Sequence, residues 1–338
     1  MTAMERPIIA ITMGDASGIG PEVVAKALLS EEIYSNCRPL VIGAGVAMED
    51  AIKLVKKSLK LHPVKTAAET KGQLGIIDIL DLHNLERKEI ILGKICKACG
   101  RASMEFITQS AKMALAGEVK AIVTAPINKE ATKLAGYGDV GHLEYLAHFT
   151  GAKEYATMLM TGRLCVVHLT THHSLREACD LVTKERILAR LKLTHTSFQG
   201  WGIEHPRIAV AALNPHASEE GLFGSEEMEE IEPAVKAAQA LSIDARGPFP
   251  ADSIFNRAIN GEFDTVLAMY HDQGHIPVKV HGLEMSVSVA LGLPMVRTSV
   301  DHGTAFDIAG KGIADATSLQ EAIKMAVRLS EKKRLFDS

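Results

Sequence analysis

Three histidines follow apolar, β-rich segments, and imidazole is a common ligand of divalent metals. They are His172, His216 and His271, and the preceding segments are LCVVHLT, RIAVAAL and DTVLAMY. Each segment has the length and composition of a buried strand. In parallel α/β sheets, functional groups gather just beyond the carboxyl ends of strands. Three imidazoles brought together there would form a metal site with a position open to substrate, although a single histidine after a strand is usually only a satisfied polar residue.

The elements that must position these histidines alternate along the chain. Strand-like segments and amphipathic segments follow one another, which predicts an α/β fold with mainly parallel sheets. The length of 338 residues favours two lobes. A glutamate-rich helix is predicted over 225–241, with its charges on a solvated face. Further predicted strands are Pro7–Met13, Arg38–Ala44, Gly75–Leu80 and Val119–Ala125, and further predicted helices lie near 46–59, 98–116, 183–202 and 319–329.

Composition excludes several classes of partner. The formal net charge is −4, no basic block occurs and aromatic residues make up only 4% of the chain. Neither nucleic acid nor an anionic membrane is therefore expected as a partner. No apolar segment approaches the ~20 residues of a membrane span, and the first residues lack the pattern of a secretory signal. We expect a cytoplasmic protein.

Other local patterns indicate binding groups. The loop GDASGIGPE connects a predicted strand to a helix with Pro21 in its first turn, an arrangement that can expose backbone N–H groups. Its glycine spacing matches neither the dinucleotide fingerprint nor the P-loop. His142 is predicted at the start of a helix, where it can donate to an anion. Cys96 and Cys99 are expected on one helix face, and an odd total of five cysteines does not indicate a disulfide framework.

Seven motifs together carry a resemblance to a known family. They are GDASGIGPE, TAPINKEA, GHLEYLA, TTHHSLREA, NPHASEEGLFG, YHDQGHIPVK and LGLPMVRTSVDHGTAFDIAG. Their order resembles that of the 4-hydroxythreonine-4-phosphate dehydrogenase family over nearly the whole chain. The resemblance implies a two-lobed fold like that of isocitrate and isopropylmalate dehydrogenases, with an active-site cleft between the lobes. We expect a nucleotide-side lobe of about 1–125 plus 285–338 and a metal-side and dimer-side lobe of about 126–284.

The resemblance also implies a homodimer whose active site lies near the interface, a divalent metal and NAD. The metal would be zinc, or magnesium, manganese or cobalt, with one of its three ligands contributed by the partner subunit. The metal ligands implied are His172, His216 and His271. Positions that contact the substrate are His142, Leu143, Lys279, Ser288 and Arg297, and the NAD-binding loop contains His302, Gly303, Thr304, Ala305 and Asp307. Lys279 and Asp252 are the catalytic candidates: the first to clamp an anion or transfer a proton, the second to orient a ligand histidine or bind the substrate.

Departures from the biosynthetic pattern favour one branch of the family. Leu143 and Ser288 replace residues that normally contact substrate, and HDQGHIPVK carries an additional His-Ile. This form resembles the D-threonate and D-erythronate 4-phosphate dehydrogenases. These enzymes oxidise the 3-hydroxyl of a phosphorylated four-carbon acid with NAD and then release CO₂, giving dihydroxyacetone phosphate. Arg297 can hold a phosphate or carboxylate in bidentate fashion.

Several alternatives stay open. One is 4-hydroxy-L-threonine 4-phosphate dehydrogenase, which serves pyridoxal phosphate (vitamin B6) biosynthesis. A second is a dehydrogenase of cyclic dihydrodiol dicarboxylates, whose NPHASE loop is similar. A metal-dependent lyase or aldolase would use the three histidines without a nucleotide, and a binding protein would have lost catalysis altogether.

Overall fold

In a computed structural model, residues 6–139, 141–332 and 335 are described. The chain divides into two compact units. The first unit comprises Met1–Ala152 and Leu293–Glu331, and the second comprises Lys153–Gly292 and Lys332–Ser338. Both divisions lie further along the chain than the lobe boundaries expected near 125 and 285.

The strands of the described residues alternate with helices along the chain. In chain order the strands are β1 (Ile8–Thr12), β2 (Arg38–Gly43), β3 (Lys60–Pro63), β4 (Ile76–Asp81), β5 (Ala121–Thr124), β6 (Ala156–Thr161), β7 (Leu164–His168), β8 (Ile208–Ala211), β9 (Ala245–Phe249), β10 (Thr265–Ala268), β11 (Val287–Leu291) and β12 (Val296–Val300).

The α-helices are, in the same order, α1 (Gly20–Ala27), α2 (Glu31–Asn36), α3 (Gly45–Val55), α4 (Lys97–Leu115), α5 (Lys129–Leu134), α6 (His142–Thr150), α7 (Leu175–Asp180), α8 (Lys184–Gly200), α9 (Glu232–Gln239), α10 (Ala251–Ile259), α11 (His271–Gly282) and α12 (Thr317–Ser330). Short 3-10 helices occur at Ala67–Glu69 and Arg87–Glu89, a turn occupies Pro215–Glu219, and a π-helix at Glu227–Ile231 leads directly into α9. No helix among the described residues is both long and apolar enough to cross a lipid bilayer.

The first unit contains a parallel sheet with the strand order β3-β4-β2-β1-β5-β12. All five residues of β1 are buried, because helices cover a sheet whose connections are crossovers. One core cluster joins α4, β5 and α6 through Met104, Ile107, Ile122 and Leu146. This packing fixes α6, and with it the position of His142 at the start of that helix.

The second unit contains a mixed sheet with the strand order β11-β6-β7-β10-β8-β9. Strand β6 pairs antiparallel with β11 and β7, whereas β7, β10, β8 and β9 run parallel. Val166, Ala209, Val266, Ile254 and Val278 pack together in its core. The carboxyl ends of β7, β8 and β10 therefore lie along one edge, as the three strand-then-histidine segments predicted.

The predicted strands that became β1, β2, β4, β5, β7, β8 and β10 are confirmed, as are the helices that became α3, α4, α8 and α12. The solvated face assigned to the glutamate-rich segment is wrong at Glu227, which is only 1% exposed. Glu227 is buried because its carboxylate accepts hydrogen bonds from the backbone N–H groups of Leu213 and Asn214, just beyond β8.

Candidate active site

Arg297 is a buried cation on β12, next to β5. Arg297 is only 5% exposed. The guanidinium donates from Nε and Nη2 to Thr124 Oγ1, at 3.1 and 2.6 Å. Thr124 Oγ1 donates to Ser299 Oγ at 3.0 Å, and Ser299 Oγ donates to the Thr124 carbonyl oxygen at 3.1 Å. Two neighbouring strands thus hold the guanidinium in one orientation.

Among the described residues, the hydrogen bonds of the Arg297 guanidinium go to the neutral Thr124 hydroxyl and not to a carboxylate. Burial lowers the pKa of Arg297 to about 10, and the charge of Glu144 opposes that change. The group is therefore still protonated at neutral pH. A buried cation is costly to a folded protein, so this position fits a bound anion.

His142 lies close enough to Arg297 for their charges to interact. Burial and then the Arg297 charge lower the pKa of His142 well below its usual value, and a backbone hydrogen bond at Ala125 opposes this. The imidazole is consequently neutral at pH 7. Its Nε2 is buried and has no hydrogen-bond partner among the described residues. Leu143, the next residue, is buried at 8% exposure.

Two of the predicted metal ligands face each other in the second unit. The ring centroids of His172 and His271 are 6.1 Å apart. Both side chains, together with Tyr270 and Asp272, line a cavity of about 340 Å³. Asp272 Oδ1 lies 2.6 Å from His271 Nδ1. A carboxylate on one ring nitrogen leaves the other available as a ligand, which is the arrangement typical of metal-binding histidines.

Two further imidazoles, those of His168 and His275, lie behind His271. The sequence indicated only His275, as part of the additional His-Ile. The His275 ring stacks on the His271 ring at 3.5 Å with an interplanar angle of 13°. His275 Nδ1 lies 3.0 Å from the His271 carbonyl oxygen, so this nitrogen donates. The His168 ring centroid is 4.5 Å from that of His275.

His168 is the buried member of this group. It is 2% exposed, and neither ring nitrogen forms a hydrogen bond of normal geometry with a described residue. Burial, followed by the charges of His275 and His271, lowers the pKa of His168 to about 3. A neutral imidazole therefore backs the ring that faces His172. The spacing of His271 and His275, four residues apart, would have placed both on one face had a helix been predicted here.

The first turn of α11 is fixed to the strand ends by one side chain. Gln273 Oε1 accepts from Met269 N, and Gln273 Nε2 donates to the Ala212 carbonyl oxygen, both at 2.7 Å. The next residue, Gly274, lies against β7, because a Cβ atom there would come within 2.3 Å of His168 Nε2. The helix start that carries His271 is thus held close to the sheet.

His216 lies in an unusual loop after β8. Five consecutive residues, none of them glycine, have left-handed φ angles: His216, Ala217, Ser218, Glu219 and Glu220, at 54°, 54°, 64°, 45° and 59°. Left-handed backbone costs roughly 1–2 kcal/mol per residue with a Cβ atom. The ring of His216 lies 6.5 Å from that of Phe223. Strain of this kind often accompanies functional loops.

The positions of the three predicted ligand histidines show whether they could bind one metal ion. Within the part of the chain that the structure describes, no group of three or more His, Cys, Asp or Glu side chains is arranged to hold a metal ion. His172 and His271 are together, whereas His216 is not brought to them. The resemblance implies that one of the three ligands comes from the partner subunit, so the assignment of all three histidines stays a prediction. Two facing imidazoles, one of them oriented by a carboxylate, nevertheless fit part of the ligand shell of a divalent cation.

The loop expected to bind NAD offers unused polar groups in the first unit. His302 Nδ1 donates to the Gly303 carbonyl oxygen at 3.0 Å, and its buried Nε2 has no partner among the described residues. Thr304 O accepts from Ile19 N at 3.0 Å, which ties this loop to GDASGIGPE. Asp307 is exposed and Ala305 has a φ of 40°. Beside the loop is a cavity of about 260 Å³ whose lining includes Glu22, Leu54, Leu92 and Gly310.

The remaining predicted residues are dispersed over the second unit. Lys279 is half-buried and lies two helical turns beyond His271 on the same face of α11. Asp252 is exposed in the first turn of α10. The carboxylate beside a predicted ligand histidine is Asp272 instead. Ser288 is half-buried on β11, opposite Leu159 of β6.

Side chains cap two helices of the first unit. Asn128 caps α5, since its side chain accepts from Ala131 N. Cys96 caps α4, where its Sγ accepts from Cys99 N at 3.3 Å. The two cysteines thus lie at a helix start, with Cys96 just outside the helix.

Solved dehydrogenases share this fold. A solved 4-hydroxythreonine-4-phosphate dehydrogenase from Klebsiella pneumoniae superposes with a TM-score of 0.90 at 39% identity, covering 96% of this chain and 99% of that one. Another, from Burkholderia phymatum, has a TM-score of 0.86 at 45% identity, covering 96% and 98%. The D-threonate 4-phosphate dehydrogenase of Cupriavidus necator is 47% identical over 328 residues, 97% of this chain and 98% of its own.

Residues 35–326 match the family model described as "Pyridoxal phosphate biosynthetic protein PdxA". This chain belongs to the PdxA family, and it is a dehydrogenase. The resemblance drawn from the seven motifs is thereby confirmed.

Proposed function

We propose that this enzyme oxidises the 3-hydroxyl of D-threonate 4-phosphate or D-erythronate 4-phosphate with NAD⁺ and a divalent cation. Loss of the carboxylate as CO₂ then gives dihydroxyacetone phosphate. The 47% identity to a protein named D-threonate 4-phosphate dehydrogenase supports this substrate class. Leu143, Ser288 and the additional His275-Ile276 support it from the sequence. The proposal includes a cytoplasmic location.

The observation that carries the proposal is the buried guanidinium of Arg297. Thr124 orients it, and among the described residues its hydrogen bonds go to that neutral hydroxyl and not to a carboxylate. Its two-pronged donor geometry matches a phosphate or a carboxylate. Neutral His142, whose Nε2 is unpartnered among these residues, can accept a hydrogen bond there from a hydroxyl of the substrate. A small phosphorylated acid is the substrate that such a site fits.

His172 and His271 are the residues that would hold the cation. A divalent cation there supplies Lewis-acid stabilisation of negative charge that develops on substrate oxygen atoms. Asp272 contacts Nδ1 of His271 and so leaves Nε2 available to the cation. The stacked His275 ring fixes the plane of the His271 ring. We include His216 as the third ligand, in a homodimer in which one of the three imidazoles comes from the partner subunit.

Lys279 is our candidate for proton transfer. It would take the proton of the 3-hydroxyl. The His302–Asp307 loop would hold NAD⁺, which would supply the hydride acceptor. Lys279 would then return a proton to the carbon that has lost CO₂. His302 Nε2 and the exposed Gly303 supply free hydrogen-bonding groups to the nucleotide. Asp252 is the second candidate for a catalytic role, although its side chain is exposed in the first turn of α10.

One alternative substrate has specific support. Two similar solved structures, at 45% and 39% identity, are named 4-hydroxythreonine-4-phosphate dehydrogenases. That substrate differs by a 2-amino group in place of a 2-hydroxyl, and the same anion and cation sites would accept it. Activity on it would place the enzyme in pyridoxal phosphate biosynthesis.

Removal of the facing imidazoles tests the proposal. We expect His172→Ala and His271→Ala to lose Zn²⁺ or Mn²⁺ content and NADH formation while keeping the wild-type circular dichroism spectrum. His148→Ala is the control, because His148 is an exposed histidine of the first unit whose Nδ1 lies 3.6 Å from Asp139 Oδ2. Normal metal content and turnover in both site variants would refute the assignment.

A further inference from the structure

Glu227 is a buried carboxylate that no part of the proposed reaction uses. It is 1% exposed, although it lies in the run SEEMEEIE, where every other glutamate is at least partly exposed. It begins the π-helix Glu227–Ile231. Single π turns are rare and are often found at functional sites. A carboxylate in this environment must be satisfied by strong hydrogen-bond donors.

The donors come from the segment that leads into the His216 loop. Glu227 Oε1 accepts from Leu213 N at 2.8 Å and from Asn214 N at 2.7 Å. Glu227 Oε2 accepts from Asn214 Nδ2 at 2.9 Å, and the same amide nitrogen donates to Glu226 Oε2 at 2.7 Å. Strand β8 ends at Ala211, so these two backbone N–H groups lie beyond its ladder. The Glu227 carboxylate accepts the hydrogen bonds of these N–H groups, which have no neighbouring strand to accept them.

The residues that follow adopt the left-handed turn described above. The turn starts at His216, two residues after Asn214, and its backbone energy opposes the observed conformation. Ser218 is 1% exposed and its Oγ has no hydrogen-bond partner among the described residues. Contacts from outside the turn must therefore stabilise it. The three hydrogen bonds of Glu227 do so at the residues that lead into the turn.

The same strand end is connected to His271. The Ala212 carbonyl oxygen accepts from Gln273 Nε2 at 2.7 Å, and Gln273 is the third residue of the helix that begins with His271. Residues 212–214 are thus held by Gln273 on one side and by Glu227 on the other. One short segment fixes the starts of two elements that each carry a predicted cation ligand.

We propose that Glu227 is a positioning residue that holds the His216 loop in its left-handed conformation and so raises the affinity of the enzyme for its divalent cation. The effect on affinity rests on the proposed function, in which His216 is a ligand. The effect on the loop does not rest on it. Glu227→Gln is the decisive substitution. The amide can still accept from the two backbone N–H groups, but it cannot accept from Asn214 Nδ2 without rearrangement.

The test measures Co²⁺ affinity of the full-length protein by competition with a coloured chelator, together with hydrogen exchange of amides 213–221. We expect Glu227→Gln to weaken Co²⁺ binding on the order of 10-fold and to accelerate exchange in this segment. Glu229→Gln, an exposed glutamate of the same π-helix, is the matched control and should match wild type in both readouts. Asn214→Ala keeps the carboxylate and should give a smaller change in the same direction.

The outcomes separate this proposal from the ligand assignment. If His216→Ala loses Co²⁺ affinity while Glu227→Gln retains it, the positioning role is overturned. If His216→Ala retains wild-type Co²⁺ affinity, the assignment of His216 as a ligand is wrong. The hydrogen-exchange rates of amides 213–221 then show whether Glu227 holds the loop. An unchanged rate in Glu227→Gln refutes that role.

Discussion

Thr124 shows how much of an anion site depends on a neutral side chain. Its hydroxyl accepts both guanidinium hydrogen bonds of Arg297 and in turn donates to Ser299. The residue reads in the sequence as an ordinary end of a buried strand, VKAIVTA. Its role becomes visible only because β12 pairs with β5 in register, with Ser299 opposite Thr124.

Thr124→Val should weaken substrate binding without a large change in fold. Valine has the shape of threonine but leaves the buried guanidinium without its acceptor, and a hydrogen bond to a charged group contributes about 1.5–3 kcal/mol. We expect KM for the phosphorylated acid to rise roughly 10- to 100-fold, as measured by initial rates of NADH formation. Thr124→Ser keeps the hydroxyl and should stay near wild type. Equal KM values in all three proteins would show that Arg297 does not bind the substrate.

Single residues set the limit of what the sequence could predict about the site. His172 and His271 were identified because each follows an apolar strand, and the structure brings them to one cavity. His168 was overlooked because it lies inside such a strand, where a histidine gives no signal of its own. Its contact with His275 joins residues more than 100 positions apart, which no local pattern reveals.

Helix α11 positions one side of the cavity that His172 and His271 line. It carries His271, His275 and Lys279 on one face. The sequence HDQGHIPVKVHG was not predicted as a helix, because it contains glycine and proline and lacks an apolar period of 3.6 residues. Strand β12 was also missed, since Arg297, Thr298 and Ser299 are polar although all three are buried.

Gly274→Ala separates helix propensity from packing in α11. Propensity alone favours alanine by about 1 kcal/mol in a helix. The added Cβ, however, would come within 2.3 Å of His168 Nε2 and 2.8 Å of Val166 Cγ1. Overpacking a core costs about 1–3 kcal/mol, so we expect a lower free energy of unfolding by urea denaturation. Gly200→Ala, in α8 with no atom within 4 Å of the new Cβ, is the control. An increase in stability for Gly274→Ala would contradict the tight contact.

At the scale of the whole molecule, Asp15 links stability to pH. Its side chain is fully buried, Oδ1 accepts from Ser17 N at 2.8 Å, and Oδ2 has no partner among the described residues. Burial raises the pKa of Asp15 from 3.8 to about 6. The folded state therefore binds this proton more tightly than the unfolded state does. Its stabilising effect is complete below about pH 4 and is lost as the pH rises toward 6.

Asp15→Asn removes this titration while keeping the size of the side chain. A shift of about two units corresponds to about 3 kcal/mol. We expect the unfolding free energy of wild type to fall by up to about that amount, relative to the variant, between pH 4 and pH 6. Urea denaturation of both proteins at several pH values measures the difference. Parallel pH profiles would show that Asp15 is ionised to the same extent in both states.

For the molecule as a whole, alternation of strand-like and amphipathic segments was sufficient to predict the α/β class. The motif order was sufficient to predict the family. The sequence could not predict the left-handed loop at His216, because none of its five residues is a glycine that would signal positive φ angles. Nor could composition show that one glutamate of an acidic run is buried.

Relative rates on three substrates decide which phosphorylated acid the enzyme oxidises. Zn²⁺- or Mn²⁺-loaded enzyme would be assayed with NAD⁺ and D-threonate 4-phosphate, D-erythronate 4-phosphate or 4-hydroxy-L-threonine 4-phosphate, with NADH and CO₂ measured together. We predict equal amounts of NADH and CO₂ and a kcat/KM at least roughly 10-fold higher for one of the two sugar acids, about 1.4 kcal/mol in transition-state stabilisation. A higher kcat/KM for the amino acid would contradict the proposed substrate, and no turnover of any of the three would contradict the role of Arg297 as a phosphate-binding residue.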